Sequence, residues 1–144
     1  FPQEIPLAVE VRHESWFDKP ATLEQLMGVL HKYQRSIVIT DVAGRRDVLH
    51  TGITATAAMV RFVGNGLHPT DYERAAEWVQ RLKSWAQQGG HEIYFFPHEP
   101  DNLLAPEMAA HFYAAACEVI DGIQARGPEL SGPSDAKGEQ MSLF

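Results

Sequence analysis

Pro6-Leu-Ala-Val-Glu-Val-Arg-His13 decides how this chain is read. Pro6 to Val11 is nearly continuous in apolar character, as a strand buried on both faces of a parallel sheet must be. It carries Glu10 and runs straight into Arg12 and His13. The same shape recurs three times. Ile37 to Thr40 runs into Asp41, Arg45 and Arg46; Met59 to Val63, which contains Arg61, runs into Gly64-Asn-Gly66; Ile93 to Phe96 runs into His98, Glu99 and Asp101. In a parallel α/β sheet the carboxyl ends of all strands point to one side, so polar groups placed there converge on one crevice. The pattern therefore predicts an α/β fold and the location of a site, but no reaction.

The segments between the runs read as helices. Thr22 to Tyr33 has Leu23, Leu26, Met27 and Leu30 at helical spacing, with Thr22 and Gln25 as an expected capping box. Thr70 to Gln88 has Thr70 and Glu73 in the same relation and ends at Gly89-Gly90. Pro106 suits the first turn of a last helix, with Met108, Phe112, Ala116, Val119 and Ile123 along its apolar face. The strands are expected over Pro6–Val11, Ser36–Thr40, Ala58–Val63 and His91–Phe96. Asp41 to Thr56 is a longer connection with a weak pattern. From Gly127, Gly, Pro, Ser, Asp, Lys and Glu dominate as far as Gln140, a composition that cannot bury enough surface to fold. Residues 1–126 thus read as one domain and 127–144 as a tail.

Composition narrows the function classes. The 144 residues are 44% hydrophobic and 22% charged, ordinary for a globular domain. The net charge of −7 argues against a general polyanion binder, so direct nucleic-acid binding is not expected. The single cysteine, Cys117, excludes an intramolecular disulfide and reads as a small core residue. No stretch is long and apolar enough to span a membrane and no signal peptide is visible, so the expected location is cytoplasmic. The chain opens on Phe1, almost directly into a strand, which suggests a piece of a longer protein or a processed one.

Val9-Glu-Val-Arg-His-Glu-Ser-Trp-Phe17 resembles the E-x-R-H-x-S-W motif of the DUF72 (YecE-like) family. Asp41-Val-Ala-Gly-Arg-Arg-Asp47, Val60-Arg-Phe-Val-Gly-Asn-Gly66 and Tyr94-Phe-Phe-Pro-His-Glu-Pro-Asp-Asn102 resemble later motifs of that family, in the same order. The resemblance covers about Pro6 to Ile123. It implies a TIM-like β/α barrel of uncharacterised function, of which this chain is the C-terminal half, with about four parallel strands and flanking helices. A full barrel takes about 250 residues. A half leaves two open sheet edges and one uncovered face, which are liabilities in a monomer. A chain folding alone is expected to form a homodimer; in a larger protein, the missing half would close the barrel. The resemblance supplies no catalytic residues.

Chemistry and position nominate them instead. Glu10 and Asp41 are candidates for a general base or a metal ligand, with ion pairs to Arg12, Arg45 or Arg61 as the structural alternative. His13 and His98 could move protons near neutral pH. Glu10, His13, Asp41, His98 and Asp101 could together hold a divalent metal, although their spacing matches no specific metal motif. Arg12, Arg45, Arg46 and Arg61 could clamp a phosphate or carboxylate. Arg61 stands out because a charge inside an apolar strand must be paired or face a polar cavity. Asn65, between two glycines, could let the backbone approach a ligand; Asp101 is a further binding candidate. His68, before Pro69, reads as structural, and Trp78 and Trp85 as packing or interface residues. The leading expectation is acid/base or metal-assisted hydrolysis of a phosphate-containing or sugar-like substrate.

The tail carries a second expectation. Gln140-Met-Ser-Leu-Phe144 resembles the pentapeptide with which bacterial proteins bind the replicative sliding clamp. Leu143 and Phe144 would fill an apolar pocket, Met141 stands where Leu is commoner, and Gln140 would supply hydrogen bonds. The alternative function is therefore a clamp-recruited adaptor in DNA maintenance.

Overall fold

Among the described residues four parallel strands form one sheet in the order β1-β2-β3-β4: β1 (Ala8–Val9), β2 (Ser36–Val42), β3 (Ala57–Val63) and β4 (Glu92–His98). Among the described residues α1 (Pro20–Lys32) connects β1 to β2, α2 (Pro69–Gln88) connects β3 to β4, and α3 (Ala105–Cys117) follows β4. The computed structural model describes residues 2, 4–89 and 92–123, so His91 and the tail peptide Gln140, Met141, Leu143 and Phe144 lie outside the described residues. The architecture is the α/β one expected, with each strand paired to its sequence neighbour.

The strand limits differ from expectation for physical reasons. β1 contributes only Ala8 and Val9 to the ladder, opposite Ser36 and Ile37. Among the described residues it has one neighbour, and short edges are how sheets limit unwanted pairing. β2 runs two residues past Thr40, because Asp41 and Val42 pair with Phe62 and Val63. β4 continues through Pro97 to His98. Proline is tolerated there because, among the described residues, β4 has a strand on one side only, which leaves one row of donors outside the ladder.

Neither expected capping box forms at its expected residues. α1 starts at Pro20, with Lys19 as its cap and no side-chain cap bond. α2 starts at Pro69. His68 caps it, accepting from the Thr70 amide, and Asp71 returns a bond to the His68 amide, so Asp71 and not Glu73 closes the box. Proline favours the first helical position because it lacks the amide proton that would go unused there. His68 is structural, as expected. Cys117 is exposed and not a core residue.

The core lies between the sheet and α2 and α3. Ile39, Val60 and Phe62 point to that side and meet Ala75, Trp78, Val79 and Leu82 of α2 and Met108, Phe112 and Ala116 of α3. Phe95 stacks on Phe112 at 3.6 Å between centroids, and Trp78 meets Trp85 edge to face. The packing role expected for the two tryptophans holds. The opposite face, carrying Thr40, Arg61, Tyr94, Phe96 and His98, contributes nothing to this cluster.

Buried polar groups tie the strand ends to α2. Asp41, 1% exposed, accepts from Arg46 at 2.5 Å, from Arg74 at 2.6 Å and from the Trp78 indole at 2.7 Å. Arg74 also bonds Asp71 and the Val63 carbonyl. Removing one member of such a buried set leaves an uncompensated charge. Asp41→Asn is therefore expected to cost about 3–5 kcal/mol in chemical denaturation, and Trp78→Phe, which strands one carboxylate oxygen, about 1–3 kcal/mol. A loss within the scatter of surface substitutions would show that the network contributes little.

Gly64 supplies a second prediction. A methyl group there would overlap the carboxylate of Glu99, which is fully buried and bonds the Gly66 amide. Gly64→Ala should destabilise by about 1–3 kcal/mol, as overpacking does. In a double-mutant cycle with Glu99→Ala the losses should be clearly less than additive; full additivity would mean the two positions do not press on each other.

Candidate functional site

A cleft of about 210 Å³ opens at the carboxyl ends of β1, β2 and β3. Glu10, Arg12, Thr40, Arg45 and Arg61 provide its polar groups, and Val11, Phe17, Val42 and Val48 its apolar walls. Side-chain alternation explains the grouping. Thr40 and Arg61 are register partners on neighbouring strands, so both project to the face away from α2. Glu10, just past β1, reaches the same face.

Glu10 is the hub. Its Oε1 accepts from Arg61 at 3.0 Å and from Thr40 at 3.3 Å, and its Oε2 accepts from Arg12 at 2.8 Å. Burial pushes the Glu10 carboxyl upward. The Arg12 hydrogen bond, the charges of Arg61 and Arg12 and the Thr40 hydrogen bond outweigh that and hold it below its ordinary value. A carboxylate held this way is a weak proton acceptor, better suited to fixing two guanidinium groups than to acting as a base. Arg61 is half-buried, whereas Arg12 is 71% exposed and free to turn toward a ligand with its remaining donors. Arg45 lines the cleft and is braced from outside by Asp47 at 3.0 Å.

The other nominated residues separate. Asp41 is corrected from site to scaffold: it sits one residue after Thr40, so its side chain turns to α2, and Arg46 follows it there. His13 caps the short 3-10 turn Glu14–Trp16, its Nδ1 accepting from the Ser15 amide. Asp101 does the same for Asn102–Leu104, accepting from the Leu103 amide at 3.0 Å. The Asn65 amide points inward to Asp71 at 2.7 Å, and that of Gly66 to Glu99. The Gly64-Asn-Gly66 loop thus spends these amides on its own carboxylates and does not present them to a ligand. His98 is the register partner of Val63 on the cleft's face of the sheet, one strand beyond Arg61.

The metal set does not assemble. Glu10 is engaged by two arginines, Asp41 faces the helices, and His13 and Asp101 are occupied in capping. Among the described residues no three His, Cys, Asp or Glu side chains are grouped to hold a metal. These residues do not fit a divalent ion as the expectation placed it.

Sequence reasoning missed Thr40, Phe17 and Val48 in the cleft, and Arg74, Asp71 and Glu99 beneath it. Thr40 was within reach, since an alternating strand with Asp41 turned inward must turn Thr40 outward. Arg74 was not, because its partner Asp41 lies 33 residues away. Among the described residues no helix is long and apolar enough to cross a membrane.

Comparison with known proteins agrees with this architecture. Residues 1–130 match the family described as "Protein of unknown function DUF72". UPF0759 protein YecE of Escherichia coli K12 is 30% identical over 161 residues, covering 99% of this chain and 56% of YecE; its counterpart in Escherichia coli O157:H7 gives the same values. Two crystal structures of a DUF72 family protein from Enterococcus faecalis V583 share the fold. One has a TM-score of 0.62 at 17% identity over 86% of this chain and 52% of its own; the other has 0.58 at 19% over 77% and 48%. The chain spans about half the length of the curated relatives it matches. With most of its length matched and the strand-end motifs in place, the chain belongs to the DUF72 family.

Proposed function

We propose that the cleft binds the oxyanion of a small substrate, a phosphate or a carboxylate, and that the chain supplies the anion-holding part of an enzyme's active site. The observation that carries this reading is the convergence of Arg12, Arg45 and Arg61 on one cleft with a single carboxylate, Glu10, among them. Guanidinium groups bind such oxyanions in a forked geometry, and apolar walls reduce the screening of their charge. Glu10 and Thr40 preorganise Arg61, so its position need not be found at the moment of binding.

Hydrolysis of a phosphate-containing or sugar-like substrate is the reaction class that this arrangement favours. Phosphoryl transfer relies on positioning and charge stabilisation, which fixed arginines provide. His98 is the proton-transfer residue of this reading, because imidazole suits that task near neutral pH and the ring lies on the cleft's face of the sheet. Barrel active sites draw on several strand ends, and the relatives carry about as much chain again, so further groups are expected from outside these four strands.

Titration calorimetry with inorganic phosphate tests the anion site. The unmodified chain should bind phosphate with an affinity that falls as salt rises, and Arg61→Met should weaken it at least about tenfold, equivalent to about 1.4 kcal/mol. Equal affinity in the variant, or no binding by the unmodified chain, would sink the reading. The depressed Glu10 carboxyl gives a separate test. A carboxyl whose folded-state value lies below its unfolded value of about 4.5 adds stability above that pH, and the gain is lost as pH falls through the folded value. Glu10→Gln should therefore lose less stability than the unmodified chain on acidification below about pH 4.5. Parallel acid profiles would show that the arginines do not stabilise the ionised form.

A further inference from the structure

We propose that the cleft takes an organic oxyanion, a small molecule whose phosphate or carboxylate is joined directly to an apolar group about the size of one ring, and that Phe17 is the residue that selects for that group. The inference rests on the anion-binding reading and adds what the rest of the ligand must be.

The cleft has two chemically distinct parts. Around Glu10, Arg12 meets one carboxylate oxygen at 2.8 Å and Arg61 the other at 3.0 Å. Against this charged part stand four apolar side chains, Val11, Phe17, Val42 and Val48. The two parts are interleaved along the chain. Val11 lies between Glu10 and Arg12, and Val42, two residues after Thr40 on β2, shares its face. An anion held by Arg12 and Arg61 therefore has the apolar walls beside it, and so does whatever the anion is attached to.

The walls are held in place by the turns that carry them. Phe17 closes the 3-10 turn Glu14–Trp16, with its amide bonded to the Glu14 carbonyl at 2.7 Å, and the His13 side chain caps the start of that turn. On the other side Val48 is buried at the end of the turn Arg46–Val48. The Arg45 amide bonds the Val42 carbonyl at 3.1 Å, which ties that wall to the arginine beside it. Groups fixed before binding lose little freedom when a ligand arrives, so more of the apolar contact appears as affinity.

Size and chemistry agree. An apolar cavity of about 150 Å³ is enough to hold benzene, so the cleft's 210 Å³ takes one ring and the anion on it. A bare phosphate or acetate would use the arginines and leave the apolar walls uncovered. A ring adds apolar burial next to the charge and displaces water that would screen it. A sugar would set hydroxyl groups against four side chains that cannot pair with them, so the sugar-like alternative is disfavoured.

Titration calorimetry of the 144-residue chain with two matched pairs tests the proposal: phenyl phosphate against inorganic phosphate, and benzoate against acetate. In the pair the cleft accepts, the ring-bearing member should bind at least about tenfold tighter than the bare anion. Which pair binds tells phosphate from carboxylate. Phe17→Ala should cost the ring-bearing ligand several times more affinity than the bare one. Glucose 6-phosphate should bind more weakly than phenyl phosphate, a comparison on the unmodified chain that decides the matter if the variant fails to fold. Equal affinity for bare and ring-bearing anions, glucose 6-phosphate as tight as phenyl phosphate, or a preference untouched by Phe17→Ala would each overturn the inference and leave the anion site standing. No binding of any of these anions would overturn the anion-binding reading with it.

Discussion

One buried carboxylate, that of Asp41, holds the carboxyl end of the sheet to its helical cover. An ionised group in the interior persists only where hydrogen bonds and opposite charge replace the lost water. Asp41 receives three donors, two guanidinium groups and an indole. Arg74 passes the constraint on, to the Val63 carbonyl at the end of β3 and to Asp71 in the first turn of α2. Asp71 in turn takes the amides of Asn65 and His68. The Arg74 guanidinium also lies 4.3 Å from the centre of the Phe62 ring, so the polar chain rests directly on the apolar core. The ends of β2 and β3, which carry the cleft, are thereby fixed from behind.

The face in front is free because of strand alternation. Thr40 and Asp41 are neighbours with opposite duties, one serving Glu10 in the cleft and the other anchoring α2. Arg61 and Phe62 divide in the same way on β3. A slip of one residue between β2 and β3 would face Arg61 with Asp41 and Val60 with Thr40, mixing the two layers. Such a slip is strongly opposed, since it would bury a charge and expose an aromatic ring. The register that makes the cleft is thus enforced by the core on the other side.

The strands and helices were legible because apolar runs and helical periodicity are local properties. Their ends were less so. Thr70 and Glu73 fit the capping pattern by residue type, yet Pro69 was the better guide: a proline at the first helical position makes the preceding residue the cap, and His68 fills that role. Lys19-Pro20 repeats the lesson at α1. Within the site, Glu10, Arg12, Arg45 and Arg61 could be found because each is a charge in or just after an apolar run. Asp41 looked equivalent. Alternation puts Thr40 and Asp41 on opposite faces, but which of the two meets the helices is settled by Arg74 and Trp78, more than thirty residues away. His13 and Asp101 were overread for a related reason. Short polar side chains after strands are needed to cap the turns that follow, and capping uses the same chemistry as binding.

The charge of the cleft runs against that of the chain. The chain is acidic overall, at −7, yet three guanidinium groups meet one carboxylate in the cleft. Without Glu10, Arg12 and Arg61 would repel each other and spread toward solvent. With it they share one anchor, and most of their N–H groups stay open because Glu10 takes a single nitrogen from each. Asp47 tempers Arg45 only from the exposed side, where water screens the pair. The cleft is left with a net positive balance inside an acidic chain. On the anion-binding reading, Glu10 is a counterweight that lets positive charge be concentrated in a protein whose overall field would otherwise repel the same ligand.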